Sequence, residues 1–448
     1  MKKIIFFLLS LALLSSCKQK INEFNAYRGS ADFSKFITIG NSLMAGYADG
    51  ALYHSGQLNS IPNLIAGQLK TVGAGQFVQP LVPSEYGVAF TGSTPKLILG
   101  YVTGCDNKVS LSPMPDISGS MATLAPVGYL VNNFAVPGAK SFHMLAPGYG
   151  NPAGLLTNPP TANPYFFRFA TSATASVLGD AMAANATFFT MWLGDNDVLS
   201  YALSGGVGDT ITSPAFFQSV MGAFLQELTT HGAKGIISTI PDVTAIPFFT
   251  TVPYNGLVLT QSEADSVNLA MTIYQLPYHY TAGPNPFLVR DTTSANPFKV
   301  RQMVPGELVL LSVPQDSLKC MGMGILNKLT FHPYPIPKQF ILNLNDISKL
   351  QTATTAYNQI IVTLAAHFGL GVVDMNAKLK ELQKGIIWDG ISLNTTFVTG
   401  GAFSLDGIHL NPRGCALAAN YFIQAINATY SSNIPLVDIT SYHGIIFP

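Results

Sequence analysis

The chain reads as an α/β protein built on a parallel sheet with helices on both faces. Two observations predict this. Runs of β-prone residues at Phe36–Ile39, Tyr129–Ala135, Thr187–Leu193, Gly235–Ile240 and Leu370–Asp374 alternate with stretches of helical or loop character. Residues able to do chemistry stand just beyond the C-terminal ends of several of these runs, where parallel sheets place their sites.

In order from the N-terminus, Met1-Lys2-Lys3 is a basic start and Ile4–Leu14 an apolar run, too short to span a bilayer. Leu14-Ser15-Ser16-Cys17 supplies small residues before a cysteine, resembling the end of a bacterial lipoprotein signal in which Cys17 becomes the acylated first residue. Residues 1–16 are therefore expected to be a signal peptide and 17–32 a polar tether. Residues 33–448 are expected to be one domain. Lys18 is not the aspartate that retains lipoproteins at the inner membrane, which favours the outer membrane and leaves the face open.

The first strand runs into Gly40-Asn41-Ser42, and Leu43-Met44-Ala45 begins a helix, so Ser42 sits where orphan N–H groups face outward. Residues 51–128, rich in Gly, Pro and Ser, read mainly as loops. Helices are expected at Ser172–Ala184, from Ser213-Pro214 to Gly232, and from Asp346 to His367 closed by Gly369. Thr260-x-x-Glu263 is a capping box opening another. Asn411-Pro412 should start the last helix, Cys415–Tyr430, and the apolar tail from Ile434 should pack on the core. Between about 243 and 345 the alternation breaks down. Its aromatic loops, Leu276–Tyr280 and Phe331–Pro335, suggest an insertion that is either an apolar wall beside the site or a packing extension.

Charged residues are 10% of the 448, against about 25% usually. Lys plus Arg equals Asp plus Glu at 23 each, which leaves no electrostatic footprint for nucleic acid. Of four cysteines, Cys17 is assigned to lipid. Cys105 and Cys320 form a pair that sequence alone leaves open, and Cys415 reads as a buried small hydrophobe. No His/Cys spacing points to a metal.

Asp406-Gly407-Ile408-His409 places a carboxylate and an imidazole three residues apart, on one side of a turn. With Ser42 upstream, this is a nucleophile–base–orienter order. Four short blocks in sequence, Gly40-Asn41-Ser42-Leu43, Asn133 to Ala139, Gly194-Asp195-Asn196-Asp197 and Asp406-x-x-His409, resemble those of the SGNH (GDSL-type) serine hydrolases. Asn41 stands where that family more often has aspartate. Ser42 is not in a Gly-x-Ser-x-Gly elbow, since position 44 is methionine, which separates the chain from the α/β-hydrolases.

The resemblance implies a flavodoxin-like, doubly wound sheet of about five strands in a lipoprotein member with large insertions. It also implies Ser42 as nucleophile, His409 as base, Asp406 as its partner, and Ser42 N–H, Gly138 N–H and the Asn196 amide as oxyanion donors. No cofactor is implied. The expected activity is cleavage of carboxylic esters, of lipid or of an acylated glycan; acyl transfer would use the same residues. The alternative from another class is a non-catalytic lipoprotein that binds lipid or glycan on the same scaffold.

Overall fold

The computed structural model describes residues 24–448; the signal peptide, Cys17 and the first part of the tether lie outside the described residues. Five strands form one parallel sheet: β1 (Phe36–Gly40), β2 (Asn133–Ala135), β3 (Phe188–Trp192), β4 (Lys234–Ser238) and β5 (Gly371–Val373). They lie side by side as β2-β1-β3-β4-β5. This 2-1-3-4-5 order is a doubly wound one, and the direction of winding reverses beside β1. The strands are apolar along their length because both faces are covered, and Ile37 and Ile39 are wholly buried.

The crossover from β1 to β2 carries α1 (Ser42–Ala45) and α2 (Ile61–Leu69). That from β3 to β4 carries α3 (Asn196–Leu203) and α4 (Pro214–Thr229). Between β4 and β5 come α5 (Gln261–Ile273) and α6 (Leu344–Phe368); after β5 come α7 (Met375–Lys384) and α8 (Pro412–Tyr430). Right-handed crossovers that run in opposite directions from β1 put α2 on one face and α4 and α6 on the other. The packing agrees: α8 lies against α2, and α6 lies against α4, where the Phe217 and Tyr357 rings stack at 4.2 Å.

Several expected boundaries move, each for a local reason. The second strand is only Asn133–Ala135; upstream, the Asn132 carbonyl still accepts from Thr38 N–H of β1, but its N–H and side chain both bond the backbone of Val78. The helix expected from Ser172 starts at Val177, because the Ser176 hydroxyl caps Gly179 N–H and the preceding residues turn. Asp346 does not open α6. Asn343 does, with Asp346 as the third residue of a reciprocal capping box. The stretch read as loops contains α2, whose Ile61, Leu64, Ile65 and Leu69 form a buried stripe, and a hairpin pairing Leu97–Thr103 with Val109–Pro115.

The excursion between β4 and α6 has small cores of its own. One gathers Val267, Met271 and Leu288; the other gathers Phe287, Val289, Val309 and Ile341. The aromatic loops serve these cores: Tyr278 and Tyr280 pack in the first and Tyr334 in the second. Cys105, at the tip of the hairpin, is bonded to Cys320 of this excursion, and Cys415 is a buried free thiol. Among the described residues no helix is long and apolar enough to cross a membrane.

The bridge joins two excursions 215 residues apart in sequence. Replacing Cys105 and Cys320 together by serine should lower stability by about 2–4 kcal/mol, the usual contribution of a long closed loop. Thermal unfolding with and without reductant checks this; an unchanged Tm would mean that packing alone holds the two excursions.

Candidate active site

β1 ends at Gly40, and the chain turns at once into α1. The Asn41 side chain caps this turn by accepting from Leu43 N–H at 3.1 Å, and Gly46, at φ +81°, ends it after one turn. A one-turn helix carries little macrodipole, so the field at Ser42 comes from the few unpaired N–H groups there. No Cβ fits at Gly40, where it would meet the Trp192 carbonyl at 2.6 Å. The strand end is therefore pressed directly against β3.

Ser42 Oγ lies 2.8 Å from His409 Nε2, and His409 Nδ1 lies 2.8 Å from Asp406 Oδ2. Ser42 and His409 are both buried, with 8% of their surface exposed, enough for one face to remain open. Asp406 is saturated with donors. Oδ2 also accepts from Gly50 N–H at 3.0 Å. Oδ1 accepts from Ile408 N–H, His409 N–H and the Ser404 hydroxyl at 2.8, 2.9 and 2.9 Å. Burial by itself would raise this carboxyl, but the charge and hydrogen bonds of His409 and the Ile408 N–H outweigh it and hold Asp406 well below the usual carboxylate range. An ionised Asp406 fixes Nδ1–H as donor, so Nε2 offers its lone pair to the Ser42 hydroxyl.

The Asp406–His409 turn is braced from two sides that sequence reading did not identify. From the front of the chain, Asp49 Oδ1 accepts from Leu405 N–H at 2.9 Å, and Asp49 N–H donates to Ser404 Oγ at 3.1 Å. The Tyr47 ring lies 4.8 Å from the imidazole, and its hydroxyl donates to the Gly50 carbonyl. From the excursion, Phe248 N–H donates to the Gly407 carbonyl at 2.9 Å. Gly407 sits at φ +71°, and a Cβ there would meet Phe248 N at 3.1 Å, so this position accepts only glycine without strain.

Three more backbone and side-chain donors stand nearby. Gly138, at φ +77°, follows β2 in the loop joined to β1 by Val136 N–H to the Gly40 carbonyl at 2.9 Å. The same loop is tied to the β3–α3 turn. Asn196 Nδ2 donates to the Ala139 carbonyl at 2.9 Å, and Asp197 accepts from Ser141 N–H and Oγ at 2.8 and 2.7 Å. Asn196 keeps a second amide hydrogen, and neither Ser42 N–H nor Gly138 N–H bonds a backbone carbonyl among the described residues. Ser42, Gly138 and Asn196 thus stand just beyond the C-terminal ends of β1, β2 and β3, beside the point where the winding reverses, and Asp406 and His409 meet Ser42 there.

Asp195 ties its turn to the serine's turn. Its two oxygens accept from Asn41 Nδ2 at 2.6 Å and from Trp192 Nε1 at 3.1 Å, beneath the serine. Position 41 is an amide, and the carboxylate at this spot comes from position 195. Burial pushes Asp195 up to about 6, against the Asn41, backbone and Trp192 bonds that lower it.

A cavity opens beside Ser42 and His409. Its wall comes from α7 and α8, from Trp192, and from Val243 and Ile246 at the very start of the excursion; the aromatic loops do not reach it. Among the described residues no three His, Cys, Asp or Glu side chains gather as a metal site.

Residues 1–17 match the pattern of a prokaryotic membrane lipoprotein lipid attachment site, which ends on Cys17 and supports lipid anchoring in the cell envelope. No curated protein matches the sequence. Among solved structures the chain is similar to a lipase/acylhydrolase from Enterococcus faecalis, over 90% of this chain and 100% of that one, at 11% identity and a TM-score of 0.34. So loose a superposition carries no argument, and the chemistry rests on the side chains described above.

Because Asp195 is more readily protonated when folded than unfolded, it binds the extra proton between about pH 4 and 6, and its contribution to stability falls as pH rises through that window. Asp195→Asn should abolish this fall, which is on the order of 3 kcal/mol. Tm measured from pH 4 to 7 checks it: parallel curves for the two proteins would remove Asp195 as the cause.

Proposed function

We propose that this protein is an exported serine ester hydrolase of the SGNH (GDSL-type) kind, held at the outer membrane by the lipid on Cys17. The observation that carries the proposal is the 2.8 Å contact between Ser42 Oγ and His409 Nε2. The acid-anchored imidazole behind it and the 2-1-3-4-5 strand order support it.

In the proposed reaction, His409 Nε2 takes the hydroxyl proton as Ser42 Oγ attacks the ester carbonyl carbon. Asp406, kept ionised by its donors, stabilises the imidazolium. The carbonyl oxygen becomes an oxyanion facing Ser42 N–H, Gly138 N–H and the spare Asn196 amide hydrogen, all set in place before the reaction. The tetrahedral centre collapses, the alkoxide takes the proton from His409, and the alcohol departs. Water then gives its proton to His409 and attacks the acyl-serine, which returns free acid and enzyme. An acceptor alcohol in place of water would make the same site an acyltransferase.

Ser42→Ala should lower turnover of a p-nitrophenyl ester by about 10⁴-fold or more and abolish labelling by a fluorophosphonate probe. Asn196→Ala should lower kcat by about 10²- to 10³-fold with KM little changed. A folded wild-type protein that neither takes the label nor cleaves any ester would instead be a binding lipoprotein on this scaffold.

A further inference from the structure

Gly138 N–H can face a developing oxyanion in only one orientation of its peptide. Val136-Pro137-Gly138-Ala139 is a β-turn, closed by Ala139 N–H donating to the Val136 carbonyl at 3.2 Å. Proline at its second position and glycine at φ +77° at its third make it a type II turn. Types I and II share their ends and differ by a half-turn of the central peptide, here the one between Pro137 and Gly138. Glycine adopts either sign of φ, so the residues of the turn do not fix the choice by themselves. A Cβ at Gly138 would meet no atom within 4 Å, so close packing at that α-carbon does not fix it either.

A side chain from outside the turn does. Asn163, with 9% of its surface exposed, donates from Nδ2 to the Pro137 carbonyl at 2.9 Å. Its amide is held the right way round, because Oδ1 accepts from Tyr165 N–H and Phe166 N–H at 2.8 and 3.2 Å, capping the single helical turn Pro164–Phe167. The Asn163 N–H is itself bonded to the Tyr149 carbonyl at 2.7 Å. In a trans peptide the C=O and N–H point in opposite directions within one plane, so a bond to the Pro137 oxygen sets the direction of Gly138 N–H. That N–H bonds no backbone carbonyl among the described residues. The peptide after Ala139 is held as well, by Asn196 Nδ2 on the Ala139 carbonyl at 2.9 Å.

From this we infer that Asn163 is a positioning residue for the oxyanion hole: by holding the Pro137 carbonyl it keeps the turn in its type II form, with Gly138 N–H aimed at the carbonyl oxygen of the bound ester. This deepens the hydrolase reading and rests on it. Asn163 touches no reacting atom and acts only through the backbone of the turn. Without its bond the flipped form becomes accessible, in which the Pro137 oxygen stands where the N–H donor should be. The loss then falls on the transition state, where negative charge develops, and substrate binding is little affected.

Asn163→Asp separates this role from capping, since a carboxylate still accepts from Tyr165 and Phe166 N–H but has no hydrogen for Pro137 at about pH 8. With a p-nitrophenyl ester, kcat should fall by about 10- to 100-fold with KM little changed, less than the loss of a whole donor, and fluorophosphonate labelling should slow by a like factor. Tyr149→Phe removes the other acceptor of the same amide, 3.2 Å away, and should leave kcat unchanged. Gly138→Ala favours the flipped turn without a clash, so in that background Asn163→Asp should add little, whereas a purely structural role would multiply the two losses. Cooperative thermal unfolding checks that each variant folds; should Asn163→Asp not fold, Asn163→Ser, whose hydroxyl also caps but is too short for Pro137, carries the same test. A folded variant that keeps wild-type kcat, raises KM alone, or loses activity multiplicatively with Gly138→Ala overturns the positioning role and leaves the hydrolase reading standing. So does a Tyr149→Phe loss as large as that of Asn163→Asp. A wild type that takes no label and cleaves no ester overturns both.

Discussion

The contact between Ser42 and His409 joins residues 367 positions apart, and most of the architecture can be understood as what keeps it short. A single hydrogen bond could not pay for the chain entropy of such a closure. The interlocking of two turns does. The Tyr47–Gly50 turn from the front and the Ser404–His409 turn from the back exchange hydrogen bonds through Asp49, Gly50, Ser404 and Asp406. Asp49 adopts φ +52°, an uncommon backbone state for a side-chain-bearing residue, and three bonds made by its own groups hold it there. The sheet contributes rigidity: β1 is buried and paired on both sides, with β2 and β3, so the serine's backbone has no freedom to drift.

The parts of this arrangement that could be read from the sequence are those in which one residue type does one job at fixed spacing. Asp406 and His409 stand three apart, and Asn411 before Pro412 starts α8. The brace was not legible, because it lies in pairings between distant segments. Nothing near Asp49 in the sequence announces Leu405, and nothing near Gly407 announces Phe248. The Asn41–Asp195 pair is a similar case. Each residue looks like a local oddity until β1 and β3 are seen to lie side by side. α2 was missed for another reason: Gly67 weakens its helical propensity, Pro62 in its first turn also fits a loop, and its stripe of buried residues is stabilised by α8, more than 340 residues downstream.

The excursion between β4 and α6 shows how composition can leave position open. Its aromatic loops fitted a wall beside the site or a packing extension, and Tyr278, Tyr280 and Tyr334 pack in two small local cores, the buried surface that a long segment outside the main sheet needs. Its link to the site is a backbone hydrogen bond from Phe248 and a few aliphatic side chains. The apolar wall comes instead from α7, a ten-residue helix that is rich in lysine and whose apolar positions are few but all on one face.

The separation of serine and imidazole along the chain also bears on how the protein comes into being. Synthesis runs from the front, so a polypeptide leaving the ribosome carries its hydroxyl for nearly its whole length before the imidazole exists. Until α8 and the turn before it have emerged and docked, the Ser42 hydroxyl has no imidazole to meet. The pairing of hydroxyl and imidazole thus belongs only to a finished, folded copy.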